Sequence, residues 1–272
     1  MQNLSVKYNK IFKKDGVVLV KNAWKYSNIK RVINEYNKNI SKIQRKESNL
    51  PKGKPIIILW KHVVGEKKRI GLFNEFPELW NFIINYVTPM VKKILNKQNS
   101  KLQLLETIIF NKPYKISNYV QWHQDASTWP LMPNNQQVAA WIPFEQVDDK
   151  AGALRYALGS HKLGIRAATD LHTSKKNSKK DKKTPVSQNP QKLGFKVKTM
   201  KMSNRDILCH HGFVWHFSKP NLKLRSGRRG LTIRYILKDV KYKPVPGQAA
   251  AFIKQIKVKR GQVIKGPAFP KI

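Results

Sequence analysis

The segment Gln121-Trp-His-Gln-Asp125 sets an imidazole and a carboxylate two residues apart. On a β-strand, side chains at i and i+2 share a face, so His123 and Asp125 could grip one metal ion. The pair alone is weak evidence, since a hydrogen-bonded surface pair has the same spacing. Two ligands also leave a site incomplete, and a third must come from elsewhere. Asp206-Ile-Leu-Cys-His-His-Gly-Phe-Val-Trp-His-Phe-Ser218 supplies three histidines on two short strands that flank Gly212-Phe213. His216 sits on the outgoing strand, 93 residues after His123, with His210 and His211 as rival third ligands. Two histidines and one carboxylate on one face of a metal form the facial triad of non-haem Fe(II) oxygenases, with open positions for substrate and O2. A zinc hydrolase accepts the same ligand types.

Downstream lies Arg225-Ser-Gly-Arg-Arg-Gly-Leu-Thr-Ile-Arg234-Tyr235. A guanidinium on the strand after the distal histidine can hold a carboxylate bidentately, which suits the remote end of a dicarboxylic keto acid. Arg228 takes that role here, and Arg225 and Arg229 read as ordinary surface charge. His62, His161 and His172 read as surface or turn residues. Trp60, Trp80 and Trp129 read as core or rim packing, with Trp129 near enough to His123 to line a pocket. Cys209 reads as a buried strand residue.

The elements that must position these groups follow from periodicity. Gly16–Val20 is a short β-branched run, and Ile29, Val32, Ile33 and Tyr36 recur at helical spacing behind Asn22 or Ser27 as cap. Residues 46–54 are polar with Pro51 and Gly53, a loop, and 56–60 is a strand. Glu78–Lys97 is a helix with the stripe Leu79, Phe82, Ile83, Val87, Val91 and Ile94, which Pro89 should kink or divide. After residue 100, eight short β-type runs follow, at 102–110, 119–123, 138–144, 154–158, 195–200, 207–211, 214–217 and 231–237. Short strands with long connections predict a sandwich or jelly-roll barrel, mainly β with flanking helices. The Lys-rich stretch 169–191 cannot form a core by composition and reads as a flexible insertion or a lid. Residues 240–272 form a basic C-terminal extension to which no regular structure is assigned.

The chain has 272 residues, 40% of them hydrophobic and 25% charged, enough for one domain over 1–272. A single cysteine excludes an internal disulfide framework and a Cys-rich zinc site. No apolar run reaches membrane-spanning length, and Met1–Lys7 lacks a secretory h-region, so a cytoplasmic protein is expected. The net charge of +39 invites a nucleic-acid reading. Lysines outnumber arginines roughly four to one and spread along the whole chain, so compositional bias is favoured over a nucleic-acid role. The same charge would draw in an anionic small-molecule substrate.

Taken in order, these pieces resemble the phytanoyl-CoA dioxygenase family of Fe(II)/2-oxoglutarate-dependent oxygenases, from about residue 8 to 238. Phe12–Val20 is similar to the family's opening motif. Phe110–Pro113 resembles the strand end before the metal motif, and Trp122–Asp125 resembles its His-x-Asp element. Ala151–Leu154 and Leu158–His161 resemble its Gly-Ala-Leu and Gly-Ser-His segments, with Leu158 replacing Pro. Asp206 matches the residue before the last strands, though Arg205 replaces Gly. His216–Ser218 with Asn221, then Arg228–Tyr235, resemble the distal histidine and arginine motifs.

The resemblance implies a double-stranded β-helix, or cupin-like jelly roll, with Fe(II) on His123, Asp125 and His216. Arg228 would pair with the distal carboxylate of 2-oxoglutarate, with Arg229 as the alternative. Ser218, Trp141, Ile108 and Lys112 would contact the cosubstrate. The implied reaction hydroxylates a C–H bond of a small molecule with O2, releasing succinate and CO2, with ascorbate as an optional reductant. Halogenating relatives lack the carboxylate, so Asp125 favours hydroxylation. Two rival readings are a nucleic-acid oxidative demethylase and a non-catalytic jelly-roll binding protein. Against the first stand the wide gap between His123 and His216 and Gly230 at the place of an expected Asn. Against the second stands the full ligand set.

Overall fold

The computed structural model describes residues 2–47, 57–62, 76–113, 119–171, 174–223, 227–245, 253 and 256–272. Two sheets face each other. The larger has the order β1-β9-β6-β11-β3-β2, built from β1 (Val17–Val20), β2 (Ile57–His62), β3 (Gln103–Lys112), β6 (Gln137–Pro143), β9 (Ile207–His211) and β11 (Arg228–Ile236). The smaller has the order β4-β10-β7-β8, from β4 (Val120–His123), β7 (Leu154–Ala157), β8 (Val197–Thr199) and β10 (His216–Ser218). β5 (Leu131–Met132) and β12 (Lys241–Tyr242) form a small third pair. This is the expected jelly roll with helices on one side.

Strand alternation assigns the faces. On β11, Leu231, Ile233 and Tyr235 turn outward into the main core, whereas Arg228, Gly230, Thr232 and Arg234 turn inward. The outward face is covered by α1 (Gln2–Asp15), α2 (Tyr26–Glu47), α3 (Pro77–Phe82) and α4 (Thr88–Ile94), through Phe12, Ile29, Val32, Tyr36, Leu79 and Val91. Burying each such apolar side chain stabilises the fold by about 1.5–3 kcal/mol. The helix predicted over 78–97 is divided as expected. A π-helical turn, Ile83–Val87, separates α3 from α4 and precedes Pro89, which has no N–H to give to the ladder. All six residues of its predicted stripe are buried.

Several local expectations change. The helix α1 was not foreseen, because its buried stripe includes Ser5 while its Leu4 and Val6 are exposed. It ends at Gly16, whose φ of +75° and N–H bond to Phe12 O make a left-handed cap. Neither Asn22 nor Ser27 caps α2; the Lys25 N–H is instead accepted by Asn28 Oδ1. The tail beyond residue 240 does take up structure. It contributes β12, buries Ile264 and Phe269, and bonds back to Leu102 and Leu104 of the β3 region through Pro270 and Ile272. Stretch 169–191 contributes Val186 to a cluster with Trp122 and Trp215, which its composition conceals. The predicted loop 46–54 falls almost entirely outside the described residues, as do Arg225 and His172. No helix among the described residues is long and apolar enough to cross a membrane.

Candidate metal centre

The antiparallel pairing of β4 with β10 sets His216 directly opposite His123 and so closes the long gap in sequence. Asp125 reaches the same point by another route than the expected strand pleat. β4 ends at His123, and Asp125 has helical φ and ψ (−63°, −48°) at the head of the 3-10 turn Ala126–Thr128. One ligand atom from each of the three residues lies within 4.8 Å of the others. Asp125 Oδ1 is 3.8 Å from His123 Nε2 and 3.9 Å from His216 Nε2.

The hydrogen bonds fix which ring nitrogens face this point. His123 Nδ1 donates to Gln121 O at 2.7 Å and His216 Nδ1 donates to Val214 O at 3.1 Å. Both Nε2 lone pairs are therefore left for a cation, the usual outer-shell arrangement of a metal-binding histidine. Burial lowers the pKa of both imidazoles, that of His216 strongly, so both are neutral as ligation requires. For Asp125, burial pushes the carboxyl up, but the Arg234 guanidinium and the His210 hydrogen bond outweigh it and hold it well below its ordinary value.

The three groups border a cavity of about 330 Å³ between the two sheets. Ile108, Lys112, Trp141, Ser218 and Arg228 also line it. Arg228 is 4% exposed, donates from Nη2 to Gly152 O at 2.9 Å, and stacks 5.0 Å from the Trp141 ring centre. Its Nε has no acceptor among the described residues. Burial lowers its pKa to about 10, still far above neutrality. Lys112 Nζ donates to Lys219 O at 2.6 Å, and burial followed by Arg228 repulsion pushes its pKa down to about 6.

The rival residues go elsewhere. Arg229 points to the outer face, where it pairs with Glu145 and donates to Asn37 Oδ1. His211 packs against His161 and Phe213 and accepts the Phe213 N–H, outside the cavity. His210 does line the cavity, but it faces Asp125 Oδ2 at 3.4 Å and the Tyr156 hydroxyl at 3.0 Å rather than joining the three. Sequence reasoning gave no role to Glu106, Thr232 or Arg234, all of which line the cavity. The six-residue step from Arg228 to Arg234 puts both on one strand face, and Glu106 interrupts the apolar run Leu104–Phe110; those were the available signals.

A family model for phytanoyl-CoA dioxygenase matches residues 12–230. Among curated proteins, the peroxisomal phytanoyl-CoA dioxygenase of Bos taurus is 25% identical over 163 residues, covering 58% of this chain and 48% of that protein. Its Homo sapiens counterpart is 23% identical over 167 residues, covering 60% and 49%. The chain thus spans about half the length of the curated relatives it matches. Among solved structures, the non-heme alpha ketoglutarate dependent carbocyclase SnoK from nogalamycin biosynthesis superposes with a TM-score of 0.73 at 16% identity, covering 100% of this chain and 97% of that one. The epimerase SnoN, solved with Fe3+, alpha ketoglutarate and nogalamycin RO, gives 0.72 at 15% identity, covering 100% and 99%.

Proposed function

The chain belongs to the phytanoyl-CoA dioxygenase family, and on that premise we propose that it is an Fe(II)- and 2-oxoglutarate-dependent dioxygenase that hydroxylates a C–H bond of a small molecule. One observation carries the reading. The cavity has two imidazole Nε2 atoms and a carboxylate at one place, and at another a buried guanidinium with no carboxylate partner among the described residues. A histidine–histidine–carboxylate set suits non-haem iron. A hydrolytic zinc site would have no use for the separate anion dock. When bound, the iron would supply an open position for O2, whose reduction is coupled to cosubstrate decarboxylation and yields succinate and CO2.

The protein's own part is positioning. Arg228 would hold the distal carboxylate through Nε, with the Trp141 face fixing the guanidinium plane. Arg234 is unsuited to that task because Asp125 and Glu106 already offset its charge. Ser218 and Lys112 would add polar contacts beside Arg228, and Ile108 an apolar wall. Thr169, Asp170, Leu171 and Asn177 border the cavity, so stretch 169–191 stands where a lid would act. Those four residues bring no cation, so an anionic substrate would owe its attraction to the surface lysines. Asp125 fills the position that a halogenase leaves for halide, which supports hydroxylation. The test is anaerobic addition of Fe(II) and 2-oxoglutarate, which should give a weak visible charge-transfer band, followed by succinate release in air. Folded protein with neither signal overturns the proposal.

Two further outcomes follow from this cosubstrate site. Gly230 lies against the Trp141 indole so closely that a Cβ there would sit 2.4 Å from it. Gly230→Ala must displace the ring from Arg228, at a cost of about 1–3 kcal/mol. The expected result is a lower melting temperature and a severalfold higher KM for 2-oxoglutarate, with metal affinity unchanged. The second outcome concerns pH. With its pKa near 6, Lys112 is mostly neutral above that pH in the empty cavity. A carboxylate bound beside it favours the charged form and raises that pKa, so binding takes up a proton. Cosubstrate affinity should be greatest below about pH 6 and fall as pH rises toward the higher pKa of the occupied site. Binding titrations across this range should show the slope in the wild type and not in Lys112→Met.

A further inference from the structure

Away from Arg228, a second arginine of β11, its side chain 12% exposed, joins two carboxylates. Arg234 Nη2 donates to Asp125 Oδ1 at 3.1 Å and Nη1 donates to Glu106 Oε1. Its guanidinium lies over Trp129, 5.1 Å from the ring centre. The register of β11 on β3 shifts between Arg234 and Tyr235, a local irregularity of the kind that re-aims a side chain beside a site. Glu106 is fully buried in a mostly apolar stretch of β3, and its Oε2 has no partner among the described residues. A buried carboxylate is costly unless paired. Hydrophobic residues would fill that space at less cost if only packing mattered.

What the pair touches points to its use. His123 and His216 are held by the ladder between β4 and β10, but Asp125 lies beyond the paired residues of β4. Its carboxylate is fixed instead from two strands of the facing sheet, Oδ1 by Arg234 of β11 and Oδ2 by His210 of β9. His210 is in turn fixed by the Tyr156 hydroxyl. We propose that Arg234 is a positioning residue of the metal centre, aiming Asp125 at the two histidine Nε2 atoms, and that Glu106 balances its charge. The inference rests on His123, Asp125 and His216 being the ligands.

The test uses Mn(II) alone, read from the EPR signal of the free ion, so it needs neither substrate nor turnover. Glu106→Gln keeps Arg234 on Asp125 but leaves its charge unbalanced, and should bind Mn(II) a few-fold more weakly than the wild type. Glu106→Gln combined with Arg234→Gln removes both charges together and should bind Mn(II) at least about tenfold more weakly, the usual effect of losing an outer-shell partner. Arg234→Lys keeps the charge without the two-pronged geometry and should fall between them. A double variant that binds as tightly as Glu106→Gln overturns the proposal. If the double variant melts below the assay temperature, Arg234→Lys carries the test, and wild-type affinity there overturns it. Wild-type protein that binds no Mn(II) sinks the ligand assignment itself, and the inference with it.

Discussion

Replacing Asp125 by Asn is expected to abolish succinate release and weaken Mn(II) binding by more than about a hundredfold. Loss of an outer-shell partner already costs 10- to 100-fold, and a ligand is worth more. Asn keeps the shape, so the change removes charge with little repacking. It also leaves the Arg234 guanidinium facing an amide, which sharpens the loss by adding repulsion toward the cation. His123→Ala should have the same effect on metal binding from another strand. His211→Ala is the informative control, since His211 belongs to the same histidine-rich segment but packs with His161 and Phe213 away from the cavity. That variant should retain most activity. Turnover surviving in Asp125→Asn and His123→Ala, or lost in His211→Ala with intact folding, refutes the ligand assignment.

The sequence made the candidate ligands visible for a reason that the structure alters in part. His123 and Asp125 do converge, but through a strand end followed by a helical turn rather than through alternation along one strand. Spacing of two satisfies both geometries, so the residues were legible and the backbone that aims them was not. Strands with three or more apolar or β-branched residues were found within about two residues of their ends, except β11, which begins at Arg228, three residues before the expected 231. The pair β5–β12 was invisible, because two-residue strands carry no period to read. The folded tail was hidden behind its charge: Ile264 and Phe269 are buried, yet they are spaced among lysines and glycines. Arg234 and Glu106 are 128 residues apart, and their pairing depends on the register of β11 on β3, which no local pattern specifies. Arg228 and Arg229 are neighbours in sequence, and only strand alternation separates a cavity residue from an outer-face one.

That separation supplies the second large effect. Arg228→Met should raise the KM for 2-oxoglutarate about a hundredfold. Losing one partner of a buried charge pair costs about 2–5 kcal/mol, and each 1.4 kcal/mol is a factor of ten. The substitution also strips the Gly152 carbonyl of its Arg228 donor, which perturbs folding, so the KM alone does not isolate the role. A change of cosubstrate does. 2-Oxopentanoate has the same keto-acid head and chain length but a methyl group at the far end. Wild-type enzyme should strongly prefer 2-oxoglutarate over it, because the buried guanidinium is left uncompensated by the methyl compound. In Arg228→Met the preference should collapse, since of the two basic groups named at the dock only Lys112 remains, and it must take up a proton to pair with the distal carboxylate. A merely destabilised protein would lose activity on both keto acids in proportion. Arg229→Met should leave the ratio unchanged, as its guanidinium serves Glu145 on the opposite face of the sheet. A preserved preference in Arg228→Met, or a collapsed one in Arg229→Met, would move the anion dock to a different side chain.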